Sequence, residues 1–136
     1  MLPSSPMGFE NYHEPPDELP QKVRTFARMI ASLTEEAEAI GWYEQRLAVE
    51  SDRSAAAIMR DAQGEEFKHF CMDLEFLLRR TPLWRDIARG ILFQEGDIVE
   101  HGEEAEEAAV EGAAEQGAPV AGSDSLGVGS LKGAPH

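Results

Sequence analysis

The sequence has little of what several common classes of protein require. Its 136 residues include one cysteine, Cys71, so no disulfide can form within the chain, and a reducing compartment is indicated. Lys and Arg number 12 against 26 Asp and Glu, and the net charge of -14 argues against nucleic-acid binding, which needs clustered cations. No apolar run approaches the roughly 20 residues that span a bilayer, and the N-terminus lacks the pattern of a signal peptide. We therefore expect a soluble, cytoplasmic protein without nucleic-acid or membrane partners.

Charge and aromatic residues are unevenly distributed along the chain. Residues 1–96 carry 17 acids and 11 bases, whereas residues 97–136 carry 9 acids and one base, and no aromatic residue follows Phe93. Low hydrophobicity with high charge favours disorder. The composition predicts four segments, which are a flexible proline-rich arm (1–18), a helical domain (19–96), a disordered acidic linker (97–122) and a terminal peptide (123–136).

The first predicted helix runs from about Leu19 to Glu50 and has an apolar line with 4-3-4-3-4 spacing. The line consists of Met29, Leu33, Glu36, Ile40, Tyr43 and Leu47. This spacing is typical of a helix packed lengthwise against another helix. Glu36 lies in the middle of the line, where an unpaired carboxylate is costly, so it requires a cation, a metal or a proton. Pairing with an Arg, or extension of the side chain to solvent, is the alternative.

The second predicted helix, from about Ser54 to Arg80, follows a short connection, which favours an antiparallel hairpin. Its line of inward positions is Ala55, Met59, Ala62, Glu66, His69, Asp73 and Phe76. Glu66 and His69 form a Glu-x-x-His pair, whose members are neighbours on one helix face and can bind the same metal. The pair alone is a weak signal. Its position opposite Glu36 makes a metal site the better interpretation.

A third, shorter helix is predicted between Pro82 and Gly96. Its apolar face consists of Leu83, Trp84, Ile87, Ala88, Ile91 and Leu92. The fold class is therefore all-α: an antiparallel two-helix hairpin plus a short C-terminal helix, with a disordered acidic tail.

Two further groups of residues fall outside the helix seams. Glu35, Glu38 and Trp42 share the outward face of the first helix, which indicates either a contact or entry point or an incidental surface. Leu126, Val128 and Leu131 stand on a Gly/Ser backbone after the acidic linker, a pattern typical of a short linear motif that docks in a groove.

The three candidate ligands amount to half of a known type of site. A ferritin-like di-iron centre takes four carboxylates and two histidines from four helices. One chain supplies Glu36, Glu66 and His69 from two helices. Two chains related by a two-fold axis would complete the set and would also enclose a core, so we expect a homodimer that forms a ferritin-like four-helix bundle.

These residues resemble a known family, the encapsulated ferritins. The resemblance rests on the segments Glu35–Tyr43 and Glu65–His69, on Leu74-Glu75 ahead of Arg79-Arg80, and on His13-Glu14-Pro15. Ser125–Gly133 resembles the peptide that directs cargo into encapsulin shells. The resemblance covers residues 13–95 in outline and the terminal peptide.

The resemblance implies a ferroxidase with a di-iron centre between two subunits, and a bacterial or archaeal cytoplasmic location inside an encapsulin nanocompartment. It implies Glu36, Glu66 and His69 as iron ligands, with Glu66 bridging, and Tyr43 as a residue that orients them. Glu35 and Glu38 would attract metal at the surface. It further implies ring-shaped decamers and iron mineralisation inside the shell.

Two alternatives remain open from the sequence. One is a non-enzymatic helical cargo or adaptor of an encapsulin shell, in which the buried Glu and His only set the register of a bundle. The other keeps the site but fills it with manganese or zinc.

Overall fold

A computed structural model describes residues 12–115, and within this range the chain forms helices and no strands. The helices are α1 (Gln21–Val49), α2 (Arg53–Arg79), α3 (Pro82–Ile91) and α4 (Ile98–Glu115), after a 3-10 turn at Pro16–Glu18. The predicted all-α class is confirmed. The predicted docking residues Leu126, Val128 and Leu131 lie outside the described residues. None of the helices described is both long enough and apolar enough to cross a membrane.

The chain divides into two compact units, Met1–Arg80 and Thr81–His136. The first holds α1 and α2, and the second holds α3 and α4. The predicted domain over residues 19–96 placed the third helix with the hairpin, but the structure pairs that helix with α4. Pro82 accounts for the position of the boundary, because a proline disfavours helical geometry at the residue before it.

The first unit is an antiparallel hairpin whose turn and register are set by polar side chains. The Asp52 carboxylate accepts a hydrogen bond from the Ala55 amide at 2.8 Å and so caps the start of α2. Gln63 on α2 donates to the Ile40 carbonyl at 3.1 Å and to the Glu44 carboxylate at 2.9 Å. This register places Glu36 opposite the part of α2 that carries Glu66 and Asp73.

The predicted seams of the hairpin are present, but the core between them is thin. All six predicted inward positions of α1 are half-buried, and on α2 only His69 among the predicted positions is exposed. Among the described residues of the hairpin, the buried apolar side chains are Ala56 and Leu77. Large apolar side chains of α2, including Ile58, Phe67 and Met72, are more than half exposed. Cys71 is exposed as well.

The second unit overturns one prediction, because residues 98–115 of the expected disordered linker form helix α4. The Asp97 carboxylate caps this helix by accepting from the Glu100 amide at 2.9 Å. Ala105 and Ala109 are its buried residues. At Gly90 of α3, a Cβ atom would lie only 2.5 Å from the Ala105 Cβ. The two helices thus pack through small side chains, a kind of contact that a search for large apolar residues does not detect.

Candidate metal site

Glu36 is the carboxylate around which the candidate site is built. It is half-buried on the inward face of α1, and its Oε2 atom is buried without a hydrogen-bond partner among the described residues. Burial raises the pKa of Glu36 from 4.5 to about 7, helped by a hydrogen bond with Asp73 and by the negative charges of Asp73, Glu66 and Glu35. A carboxylate held in this way is suited to a proton at low pH and to a cation at higher pH.

Asp73 is the member of the site that the sequence interpretation did not single out. Only 9% of its surface is exposed, and its Oδ2 atom, like Glu36 Oε2, is buried without a donor in the part of the chain described. Two ionised carboxylates offer only acceptors, so Asp73 and Glu36 can hydrogen-bond only when one of them carries a proton. The sequence did contain a signal, because Asp73 follows Glu66 by seven residues and His69 by four on the same seam.

Glu66 and His69 occupy different environments in one chain. Glu66 is half-buried and close enough to Glu36 to act on its pKa, whereas His69 is exposed. Lys68 lies between them in sequence but bonds to Glu65 at 2.7 Å, and that contact lowers the pKa of Glu65. The structure therefore brings Glu36, Glu66 and Asp73 together and leaves the His69 imidazole on an open surface.

The remaining candidates lie away from the carboxylate cluster or at its edge. Glu35 and Glu38 are exposed, as is Trp42 at 54%. Tyr43, two helical turns after Glu36, is half-buried, and the Arg46 guanidinium lies 5.3 Å from the centre of its ring. The predicted outward face of α1 is thus correct in its exposure.

A single chain does not assemble a complete ligand set in the region described. Within residues 12–115, no three Asp, Glu, His or Cys side chains are arranged so that they could hold a metal ion. The donor set nevertheless has the right chemistry, because buried, unpaired carboxylate oxygens and an accessible imidazole are the ligand types of di-iron carboxylate sites.

Comparison with known families agrees with this architecture. The family model described as EncFtn-like matches residues 11–95, a range that contains α1, α2, α3 and the whole carboxylate cluster. The chain belongs to this family of encapsulated ferritin-like proteins.

Individual relatives support the assignment. The chain is 40% identical over 124 residues to an encapsulated ferritin-like protein of Rhodospirillum rubrum, an alignment that covers 89% of this chain and 87% of the relative. A ferritin-like protein of Thermotoga maritima is 41% identical over 95 residues, with 70% and 83% covered. The crystal structure of protein ne0167 from Nitrosomonas europaea superimposes with a TM-score of 0.63 at 35% identity, over 65% of this chain and 98% of that one.

Proposed function

We propose that the protein is a ferroxidase, which binds Fe(II) between two copies of the chain and oxidises it to Fe(III) with dioxygen or peroxide. The observation that carries the proposal is the buried, unpaired Oε2 atom of Glu36 facing two further carboxylates across the hairpin. An acidic cluster without a cation is costly to bury, and a bound metal ion removes that cost. Membership of the encapsulated ferritin-like family points to iron as the metal.

Two copies of the hairpin are required because one copy supplies half of the ligands. His69 is exposed in the single chain, as expected for a ligand that reaches its metal ion only at an interface between two chains. The exposed apolar side chains on α2, such as Phe67 and Met72, also favour burial against another copy. We propose a two-fold homodimer that completes a four-helix bundle, and a ring-shaped decamer built from such dimers.

Each side chain has a distinct role in this proposal. Glu66 would bridge two iron ions, and Glu36 and His69 would each bind one ion. Carboxylate oxygens and imidazole nitrogen suit iron, and the carboxylates offset its growing positive charge as it is oxidised. Tyr43 orients the ligands, and the exposed Glu35 and Glu38 attract Fe(II) from solution, an effect that salt weakens.

The product of the reaction is Fe(III) for mineralisation and storage inside an encapsulin nanocompartment in the bacterial or archaeal cytoplasm. The support is the name of the relative in Rhodospirillum rubrum, an encapsulated ferritin-like protein, together with the terminal sequence from Ser125 to Gly133. In that segment Leu126, Val128 and Leu131 are the residues proposed to dock on the shell protein.

Replacing Glu36 by Ala tests the enzymatic proposal. We expect Glu36→Ala to abolish rapid Fe(II) oxidation, measured by the absorbance of Fe(III) after aerobic addition of Fe(II), because a ligand is lost from both halves of the site. Glu95→Ala, a change at an exposed glutamate of the second unit, should keep the wild-type rate.

Three results would contradict the proposal. Unchanged Fe(II) oxidation by Glu36→Ala would refute the proposed metal site. A wild-type protein that binds two metal ions per dimer but does not oxidise Fe(II) would favour a manganese or zinc protein, and one that binds no metal would favour a structural cargo.

A further inference from the structure

We propose that Asp73 is an additional iron ligand, so that each chain contributes a fourth side chain to the metal centre beside Glu36, Glu66 and His69. This inference rests on the proposed function, since it assigns one more residue to the same site. Three observations carry it. They are the burial of Asp73, its position beside Glu36, and the contacts of basic side chains of the hairpin with groups other than Asp73.

Asp73 is buried without the partner that a buried carboxylate needs. It is 9% exposed, and its Oδ2 atom has no hydrogen-bond partner within residues 12–115. Burial of an unpaired carboxylate is strongly unfavourable in a folded protein. A group kept in such a position is therefore expected to have a partner that the isolated chain lacks.

The orientation of Asp73 identifies the metal centre as that partner. The Asp73 carboxyl lies within hydrogen-bonding reach of Glu36, and both Asp73 and Glu66 act electrostatically on Glu36. Along α2, Asp73 comes four residues after His69 and seven after Glu66, spacings that place all three on one face of a helix. A metal ion bound by Glu36 would therefore lie close to Asp73.

Several basic side chains of the hairpin are engaged with groups other than Asp73. On α2, Lys68 bonds to Glu65 at 2.7 Å and Arg79 to Glu75 at 2.6 Å. Arg80 lies 3.6 Å from the centre of the Phe76 ring. On α1, the buried Nε of Arg24 has no acceptor among the described residues, so this atom does not donate to Asp73. The burial of the Asp73 carboxylate is thus not explained by an ion pair with these side chains.

The additional carboxylate has a chemical consequence for the site. Carboxylate oxygen is a hard ligand that binds Fe(II) and Fe(III), and another negative charge per chain increases the attraction for a metal cation. The carboxylates of Glu36 and Asp73 are held together at a cost that only a cation or a proton relieves. We therefore expect Asp73 to tighten metal binding.

Anaerobic titration of the full-length protein with Fe(II) tests this assignment through binding, without relying on activity. We expect Asp73→Asn to weaken Fe(II) binding by about 10-fold or more, since even residues that only orient metal ligands contribute 10- to 100-fold. Asp73→Glu, which keeps a carboxylate, should restore part of the affinity. Asp61→Asn, the same change at an exposed position of α2, should leave the affinity unchanged.

Thermal denaturation of the same variants separates a ligand from a structural residue. Without metal, Asp73→Asn should melt at a higher temperature than wild type, because it removes a buried negative charge. The increase in its melting temperature on addition of Fe(II) should be smaller than that of the wild type. A lower melting temperature without metal, combined with unchanged Fe(II) affinity, would show that Asp73 is structural and would overturn the assignment.

The reference variant His69→Ala keeps this test distinct from that of the proposed function. If His69→Ala loses Fe(II) binding and Asp73→Asn does not, Asp73 is not a ligand and the proposed function stands. If wild type itself binds no Fe(II), the proposed function fails together with the inference.

A measurement on the wild-type protein decides the question even if Asp73→Asn does not fold. Anomalous diffraction from crystals soaked anaerobically in Fe(II) would locate the metal. An Asp73 oxygen at about 2.2 Å from it, a distance usual for carboxylate bonds to zinc, supports the inference. A separation beyond about 3.5 Å, outside the reach of a direct contact, overturns it.

Discussion

The two units of the chain use opposite means to pack a pair of helices. The α1–α2 hairpin places carboxylates between its helices and leaves Phe67 and Met72 more than half exposed. The α3–α4 pair places alanines and a glycine at its contact, with Ala105 and Ala109 buried. The hairpin therefore exposes apolar side chains that a single chain does not cover, whereas α3 and α4 pack directly against each other through small side chains.

The largest effect is expected where the second unit is packed most closely. Gly90→Ala would place a Cβ atom 2.5 Å from that of Ala105, so the helices must separate. We expect a net loss of up to about 2 kcal/mol in the free energy of unfolding, since overpacking costs about 1–3 kcal/mol and the better helix propensity of Ala returns about 1 kcal/mol. Urea denaturation followed by circular dichroism would measure it.

Gly112→Ala is the matched control for Gly90→Ala. A Cβ atom at Gly112, which lies in α4, meets nothing within 4 Å, so the change should be neutral or stabilise by up to about 1 kcal/mol. Fe(II) binding should be the same in both variants, because neither touches the carboxylate cluster. Equal stability of the two variants would show that α3 and α4 are not in close contact, and the contrast between the units would be lost.

The second unit also shows where sequence interpretation reached its limit. The hairpin was predictable because large apolar residues recur at 4-3 spacing, and the described seams follow that pattern at every position except His69. Helix α4 was missed because its composition of Glu, Ala and Gly resembles that of a disordered linker. Its buried residues, Ala105 and Ala109, are four apart, but single small side chains carry little hydrophobic signal in a sequence.

The candidate site was predictable in part for a related reason. Glu36 and Glu66 stand out as charges at apolar positions, and Asp73 meets the same criterion on the same seam. The Glu-x-x-His pattern does not include Asp73, because the pattern ends at His69, although the helical spacing of the seam continues one turn further. Burial and the missing hydrogen-bond donor of Asp73 depend on how the two helices face each other, which the spacing of one helix does not reveal.

A pH titration of metal-free stability sharpens the comparison by targeting the charges of the hairpin. The pKa of Glu36 is raised from 4.5 to about 7, so the folded state binds a proton that the unfolded state has released. The resulting stabilisation is fully present below pH 4.5 and is lost as the pH rises through about 7. The melting temperature measured in a chelator should therefore fall between pH 5.5 and 8 in the wild type, and less in Glu36→Gln.

The control for the pH titration is Glu65→Gln, next to the cluster. Lys68 lowers the pKa of Glu65, so this group is ionised throughout the range. The melting temperature of Glu65→Gln should therefore fall with pH as steeply as that of the wild type. Added Fe(II) should reverse the trend, because binding displaces the proton and grows stronger as the pH rises. If the melting temperature of Glu36→Gln falls with pH as steeply as that of the wild type, the carboxylate of Glu36 is not the source of the pH dependence.

The smallest effect concerns Gly64, two residues before Glu66 in the middle of α2. A Cβ atom there meets nothing within 4 Å in one chain, so the hairpin itself does not require glycine. If no other chain contacts this position, Gly64→Ala should stabilise the protein by up to about 1 kcal/mol through helix propensity alone. We expect this gain for dilute, dissociated protein in urea denaturation. A loss of stability that appears only at high protein concentration would instead place Gly64 at a contact between copies, and would show that the hairpin completes its packing there.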